Sequence, residues 1–151
     1  MDSSEKEDWK KRLKSLGIVR KRRPKRTKKD LRKVESGRIG EDIACSLFKE
    51  NSLRILDRNV RYRDGEIDLV ALDGATLVFV EVKWRRNDER GTPAEAVTPR
   101  KRFRVVRAAR RWLVENPARA GAREVRFDVV AIREEPPEVA WIRGAFDGSG
   151  T

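Results

Sequence analysis

The sequence predicts one mixed α/β domain in which helices pack on a central sheet, with the element order α-β-β-β-α-β-β. Three observations support this class. Helical and strand-like apolar patterns follow one another along residues 38–146. Asp-Gly dipeptides, which favour tight turns, separate the first strand patterns. The chain has 151 residues, enough for one core and too few for two.

The first 36 residues differ from the rest in composition. They carry 15 Lys and Arg against 6 Asp and Glu, whereas residues 37–151 carry 22 against 19. The basic run from Arg20 to Lys29 repels itself and has few apolar neighbours. We therefore predict a basic tail over residues 1–36 that is disordered or at most transiently helical, followed by a compact domain over 37–147.

The domain is predicted to begin with a helix and two strands. Apolar residues recur at helical spacing over 38–48, and Ser36 is a suitable N-cap for this helix. The stretch 54–62 has a strand pattern and is followed by Asp-Gly, a hairpin signal. The alternating stretch 66–72 is then the second strand.

The second half of the domain is predicted to hold a central strand, a long helix and two final strands. Residues 76–83 are almost wholly apolar, which indicates a strand buried on both faces. A polar loop over 84–93 leads to a helix over 99–115, which has a proline at its first position. Strand patterns occupy 124–132 and 139–146.

The composition excludes several classes of site. The chain has no histidine, so catalytic triads, histidine metal sites and imidazole bases are excluded. Its one cysteine, Cys45, allows neither an intrachain disulfide nor a cysteine-rich zinc site, and this usage fits a reducing cytoplasm. No apolar run approaches about 18 residues, so a membrane span is not expected. Acid–base and metal chemistry therefore falls to Asp, Glu and Lys.

Charged residues of this kind meet on two neighbouring strands. Asp68 lies on the second strand, and Glu81 and Lys83 share one face of the third. A tight turn between the strands makes them antiparallel neighbours, which can bring Asp68 beside this pair. Carboxylates suit Mg²⁺ or Mn²⁺, and a nearby lysine can stabilise charge on a phosphate. The alternative is the polar face of a half-exposed strand, which the apolar residues on both faces disfavour.

Three sequence blocks at residues 37–44, 65–70 and 78–83 read GRIGEDIA, GEIDLV and VFVEVK. They resemble the YraN-like (UPF0102) family of bacterial proteins, which lies within the PD-(D/E)XK nuclease superfamily and is similar to archaeal Holliday junction resolvases. The resemblance covers roughly residues 37–146 and leaves out the basic N-terminal extension. It implies a restriction-endonuclease-like α/β core, with helices flanking a mixed central sheet.

The resemblance also implies roles for four residues. Asp68, Glu81 and Lys83 correspond to the D…(D/E)-x-K signature, and Glu41 corresponds to an acidic residue on the first helix. Ile67 stands where the name of the superfamily has proline, a position that varies among its members. By itself Glu41 also fits a first-turn glutamate favoured by the helix dipole, so its assignment depends on the resemblance.

The function implied is a metal-dependent endonuclease that hydrolyses phosphodiester bonds in branched or otherwise structured nucleic acid, expected to be DNA. Asp68, Glu81 and Glu41 would hold Mg²⁺ or Mn²⁺, and Lys83 would help water attack the phosphate. The alternative is a non-catalytic nucleic-acid-binding or adaptor protein that keeps the nuclease fold. A homodimer is left open, and no membrane partner is expected.

Basic residues near the third strand are candidates for phosphate contacts. Arg85 and Arg86 follow Lys83 after one intervening tryptophan, and Lys101 lies at the start of the long helix. The alternative for the arginines is a soluble basic surface, and for Lys101 an exposed helix position. Glu66 is expected to be solvated at a turn. The sequence has no helix-turn-helix or zinc-finger pattern, so recognition of nucleic-acid shape is favoured over readout of bases.

Overall fold

The computed structural model describes residues 28–86, 89–121, 123–135 and 137–149. Within these residues it has three α-helices, one 3₁₀ turn and five strands. In chain order they are α1 (Lys28–Glu50), β1 (Arg54–Tyr62), β2 (Gly65–Asp73), β3 (Thr76–Arg85), the 3₁₀ turn (Ala94–Ala96), α2 (Pro99–Glu115), α3 (Pro117–Ala120), β4 (Glu124–Arg133) and β5 (Glu138–Phe146).

The five strands form one mixed sheet in the order β1-β2-β3-β4-β5. All neighbouring pairs are antiparallel except β3 and β4, which are parallel. A parallel pair needs a long crossover connection, and α2 supplies it. The β2–β3 turn closes at the Asp73–Thr76 pair, with Gly74 at a φ of 59°. The predicted mixed α/β fold, with its helices on a central sheet, is therefore confirmed.

Helices cover both faces of the sheet. On one face α1 packs through residues such as Phe48 against Val78 and Val80 of β3. On the other face α2 contributes Trp112, whose ring lies 5.6 Å from that of Phe79. Strand β3 is consequently buried on both sides, as its apolar sequence predicts. A charged residue on β3 therefore needs a partner or a ligand.

The start of α1 differs from the prediction. The described helix begins at Lys28, ten residues before Arg38, and the Ser36 hydroxyl donates a hydrogen bond of 2.8 Å to the Arg32 carbonyl inside the helix. Ser36 is thus not an N-cap. Extending a formed helix adds one hydrogen bond for each residue fixed, which is less costly than starting a new helix. The predicted domain boundary after Ser36 stays a prediction, and residues 1–27 lie outside the described residues.

Strand β3 is also longer than predicted. It runs to Arg85, because residues 83–85 continue the parallel ladder opposite Ala131–Arg133. The start of the predicted 84–93 loop is therefore strand. Among the described residues, no helix is long and apolar enough to cross a membrane.

Candidate active site

The candidate site lies where β2 and β3 separate. Their ladder runs from the Asp73–Thr76 pair to the Leu69–Val80 pair, although β2 continues back to Gly65. Beyond that point a side chain replaces the backbone as acceptor, and Asp68 Oδ2 accepts a hydrogen bond of 2.7 Å from the Val82 N–H. The side chain of Asp68 is thereby fixed between the two strands, as the antiparallel pairing predicted.

Face alternation in β2 breaks at the same place. Ile67 and Val70 are three residues apart, yet both pack in the core beneath α2, whereas Leu69 packs beneath α1. A regular strand would send residues three apart to opposite faces. The irregularity places Asp68 at an opening in the sheet instead of in a continuous ladder.

Glu81 is buried beside this opening. Only 5% of the residue is exposed, and its Oε1 lies 3.6 Å from the Lys101 ammonium. Its Oε2 is buried and, as an ionised acceptor, has no donor among the described residues, whereas a protonated Glu81 shares a side-chain hydrogen bond with Asp68. Burial and the charge of Asp68 raise the pKa of Glu81 well above its ordinary value of 4.5. Glu81 therefore favours a proton or a cation at this position.

Asp68 responds to the same surroundings. Burial raises the pKa of Asp68, and the Val82 hydrogen bond opposes that rise. Two neighbouring carboxyl groups in a buried place cannot both ionise without cost. Asp68 and Glu81 thus form a coupled acidic pair that a bound cation would stabilise.

Lys101 places its ammonium 3.6 Å from Glu81, one member of this acidic pair. Its Nζ lies 2.7 Å from Glu66 Oε1, and this contact lowers the pKa of Glu66. Burial alone would lower the pKa of Lys101, but Glu81, Glu66 and Asp68 together raise it. Lys101 is thus paired with carboxylates instead of standing alone on an exposed helix face, and its contact with phosphate stays a prediction. Glu66 is half-buried and paired, contrary to its predicted solvation; its alternation with Asp68 along β2 was the available signal.

Glu41 reaches the site from α1. Its Oε2 accepts a hydrogen bond of 2.8 Å from Asn59 Nδ2 on β1, and its side chain is 13% exposed. Burial raises the pKa of Glu41, and the charge of Asp68 adds to this effect. Glu41, Asp68 and Glu66 line one cleft of about 380 Å³, together with Arg38 and other residues.

Lys83 lies on the same face of β3 as Glu81 but opens into a different cleft. That cleft measures about 540 Å³ and is lined by Lys33, Ser36, Gly37, Lys83, Trp84, Arg86 and Glu89. The side chain of Lys83 makes no hydrogen bond or ion pair with any residue that the structure describes. The structure therefore brings Asp68 and Glu81 together, whereas the ammonium in contact with them belongs to Lys101.

Arg85 does not have the surface position that the sequence suggested. Only 4% of it is exposed, its guanidinium donates to the Gly91 carbonyl at 2.9 Å, and it lies 4.0 Å from Glu138. It anchors the loop after β3, and a buried guanidinium is not available to a phosphate. The contacts with Gly91 and Glu138 accompany this burial, and strand periodicity does not encode them. Arg86 is exposed and stays a candidate for phosphate contact.

The acidic residues fit a divalent cation in their chemistry but are not yet arranged around one. In the described part of the chain, no three Asp, Glu or Cys side chains already form a group suited to a metal ion. Glu41 is bonded to Asn59, and Lys101 lies among the other carboxylates. Their oxygens are nevertheless the donors that Mg²⁺ and Mn²⁺ prefer. The unpartnered Glu81 Oε2 and the raised pKa of Glu81 also fit such an ion.

Comparisons with known proteins agree on one family. Its sequence profile, described as the uncharacterised protein family UPF0102, matches residues 40–132. A UPF0102 protein of Vibrio cholerae is 40% identical over 105 residues, which are 70% of this chain and 86% of the relative. UPF0102 proteins of Frankia casuarinae and Geotalea daltonii are 48% and 46% identical, covering 73% and 74% of this chain and 94% and 88% of the relatives.

Proposed function

Because this chain belongs to the uncharacterised protein family UPF0102, and because a buried carboxyl pair opens between its central strands, we propose that it is a metal-dependent endonuclease acting on structured nucleic acid. The observation that supports this most is Glu81, whose buried Oε2 has no partner among the described residues. A buried acceptor of this kind is costly, so either a proton shared with Asp68 or a bound cation must satisfy it, and we propose the cation.

Asp68, Glu81 and Glu41 are the residues that would hold Mg²⁺ or Mn²⁺. Two of them already neighbour each other, and Glu41 lines the cleft into which Asp68 opens. A divalent ion bound there supplies Lewis-acid stabilisation and lowers the pKa of water. The hydrogen bond from Asn59 holds the Glu41 carboxylate in the cleft.

Two lysines divide the remaining work in this proposal. Lys83 presents a compact charge at the mouth of the neighbouring cleft, where it can donate to a phosphate oxygen and stabilise developing negative charge. Lys101 offsets the repulsion among Glu66, Glu81 and Asp68. The proposal thus separates a phosphate-facing lysine from a carboxylate-facing lysine.

The substrate class follows from charge. Cationic Arg38 and Arg61 line the cleft that contains Asp68, while Lys83 and Arg86 line the other. Such side chains bind the phosphate backbone without reading bases. We therefore propose a structured nucleic acid, DNA in the first instance, recognised by the shape of its backbone.

A second candidate is a nucleic-acid-binding protein that keeps this fold without turnover. The contact of Lys101 with Glu66 and Glu81 favours it, because an ammonium among the carboxylates can replace a divalent ion as their counter-charge. In that case the acidic group would be structural, and only the surrounding cations would bind ligand.

A cleavage assay separates the two candidates. Duplex, flap and four-way-junction DNA are incubated with the protein and Mg²⁺ or Mn²⁺, and single-turnover rates are measured beside equilibrium binding. Lys83→Ala should keep affinity and lose about 10²–10³ in rate, because it removes an interaction made in the transition state. Lys83→Arg should restore little, since its planar fork is larger. Lys49→Ala, at an exposed lysine of α1, is the matched control.

Metal binding is tested separately by calorimetry. Asp68→Ala should abolish the Mn²⁺ titration while the protein stays folded, because one fewer buried carboxylate relieves like-charge repulsion. An unchanged titration would remove the metal from the proposal. Wild-type protein that binds DNA yet cleaves none of the three substrates would favour the non-catalytic candidate.

A further inference from the structure

Two glycines of α1 have different surroundings. A Cβ at Gly40 would lie 3.2 Å from Val82 Cγ1 and 3.5 Å from Ile132 Cδ1, so this glycine lets the helix approach the sheet. A Cβ at Gly37 would meet no atom within 4 Å. Packing therefore explains Gly40 and does not explain Gly37.

Backbone conformation does not explain Gly37 either. It lies in the interior of a 23-residue helix and is absent from the residues of positive φ. Glycine in a helix interior is less favourable than alanine, because it loses more conformational freedom on folding. The open space around Gly37 is thus kept at a cost in stability.

That space lies where the two clefts adjoin. Lys33 and Gly37, four residues apart on one face of α1, line both the cleft of Asp68 and the cleft of Lys83. The side chains of Lys33, Arg38 and Lys83 make no hydrogen bond or ion pair with another described residue. The surface where the two clefts meet therefore carries cationic side chains that are not paired with other described residues, and at Gly37 the helix backbone there has no side chain covering it.

We propose that a nucleic-acid strand crosses α1 at Gly37 and passes from the cleft of Lys83 to the cleft of Asp68. The strand is the occupant because the side chains around the crossing are cationic, as a phosphodiester backbone requires. Gly37 gives the sugar–phosphate chain contact with the helix backbone, and Lys33 pairs with a phosphate above it. The ligand class rests on the proposed function, and the path across Gly37 goes beyond it.

The test measures thermal unfolding and binding of a labelled four-way-junction DNA and a labelled single strand by fluorescence anisotropy. Gly37→Ala should raise the melting temperature, and Gly37→Gln should weaken binding by about five- to tenfold while the protein stays folded. Lys33→Gln should weaken binding and reduce the salt slope by about one phosphate contact. Gly40→Ala should raise the melting temperature less than Gly37→Ala, and Ser46→Ala, at an exposed position of α1, should leave binding unchanged.

The outcomes distinguish this path from the function on which it rests. If wild-type protein binds and Gly37→Gln binds equally well, the path is wrong and the proposed function stands. A lower melting temperature for Gly37→Ala would show that the glycine has a structural reason, which also overturns the path. If wild-type protein binds neither DNA, the proposed function and the path fail together.

Discussion

Two buried carboxylates on adjacent strands, Glu81 of β3 and Asp128 of β4, differ in how completely their oxygens are hydrogen-bonded. Asp128 is fully buried and accepts hydrogen bonds from Arg126, from the Trp141 indole and from the Gly144 N–H, all at 2.8–3.0 Å. Glu81 has an ammonium at 3.6 Å and one oxygen without a partner. One register step of the parallel ladder separates them.

The hydrogen bonds of Asp128 have a structural role that Glu81 lacks. The bonds of Asp128 join β4 to β5 across a register shift, and Arg126 extends the network to Asp73 in the β2–β3 turn. A carboxylate whose lone pairs are all used holds the fold together. Glu81 lies at the opening between β2 and β3, and its buried Oε2 has no donor among the described residues. Burial alone therefore does not distinguish the two acids, and incomplete hydrogen bonding is the feature that makes Glu81 the candidate.

The largest effect is expected at Asp128. Asp128→Asn places an amide where four donors converge, so Arg126 loses one of its two anionic partners and some of those donors lose their acceptor. We expect the free energy of unfolding to fall by about 3 kcal/mol. Urea unfolding at pH 7 measures this loss as a lower midpoint at constant slope. A loss below about 1 kcal/mol would contradict the structural role assigned to Asp128.

An intermediate effect is expected at Lys101. Lys101→Met keeps the apolar stem and removes the ammonium from Glu66 and Glu81, which should lower stability by about 1–2 kcal/mol at pH 7. Since the pKa of Glu66 lies below its ordinary 4.5, its share is present above about pH 4.5 and disappears as the pH falls through the folded-state value.

Mn²⁺ should raise the melting temperature of Lys101→Met more than that of wild type, because the carboxylates have lost their resident cation. Lys49→Met, at an exposed position of α1, is the control for loss of a lysine. Equal stabilisation of both proteins by Mn²⁺ would show that Lys101 and the metal do not act on the same carboxylates.

The smallest effect, of opposite sign, is expected at Glu81. Its raised pKa means that its favourable contribution is full below about pH 4.5 and is lost as the pH rises through the higher folded-state value. Glu81→Gln removes this loss, so the variant should be more stable than wild type by about 1 kcal/mol at pH 8 and nearly equal to it at pH 4. Glu50→Gln, at an exposed position, should show no such trend. A loss of stability at pH 8 would contradict the predicted sign.

Much of the fold was predictable because its signals are local. Asp-Gly pairs fix the turns that make β1, β2 and β3 neighbours, and an apolar run marks the buried strand β3. The same local register predicted that Asp68 and Glu81 would meet. Family membership was equally readable, since the residues of three short blocks carry it.

The remaining features depend on contacts between distant segments. Lys101 is 35 residues from Glu66 in the chain, and only the crossover of α2 brings its ammonium to the carboxylates. Arg85 is buried and bonds to the Gly91 carbonyl, a contact that strand periodicity cannot specify. Local patterns in the sequence were therefore enough to predict the strands and the proximity of Asp68 to Glu81. That Lys101 is the neighbouring cation, and that Glu81 Oε2 has no donor among the described residues, depends on how helices and loops close over the sheet, so only the tertiary structure shows it.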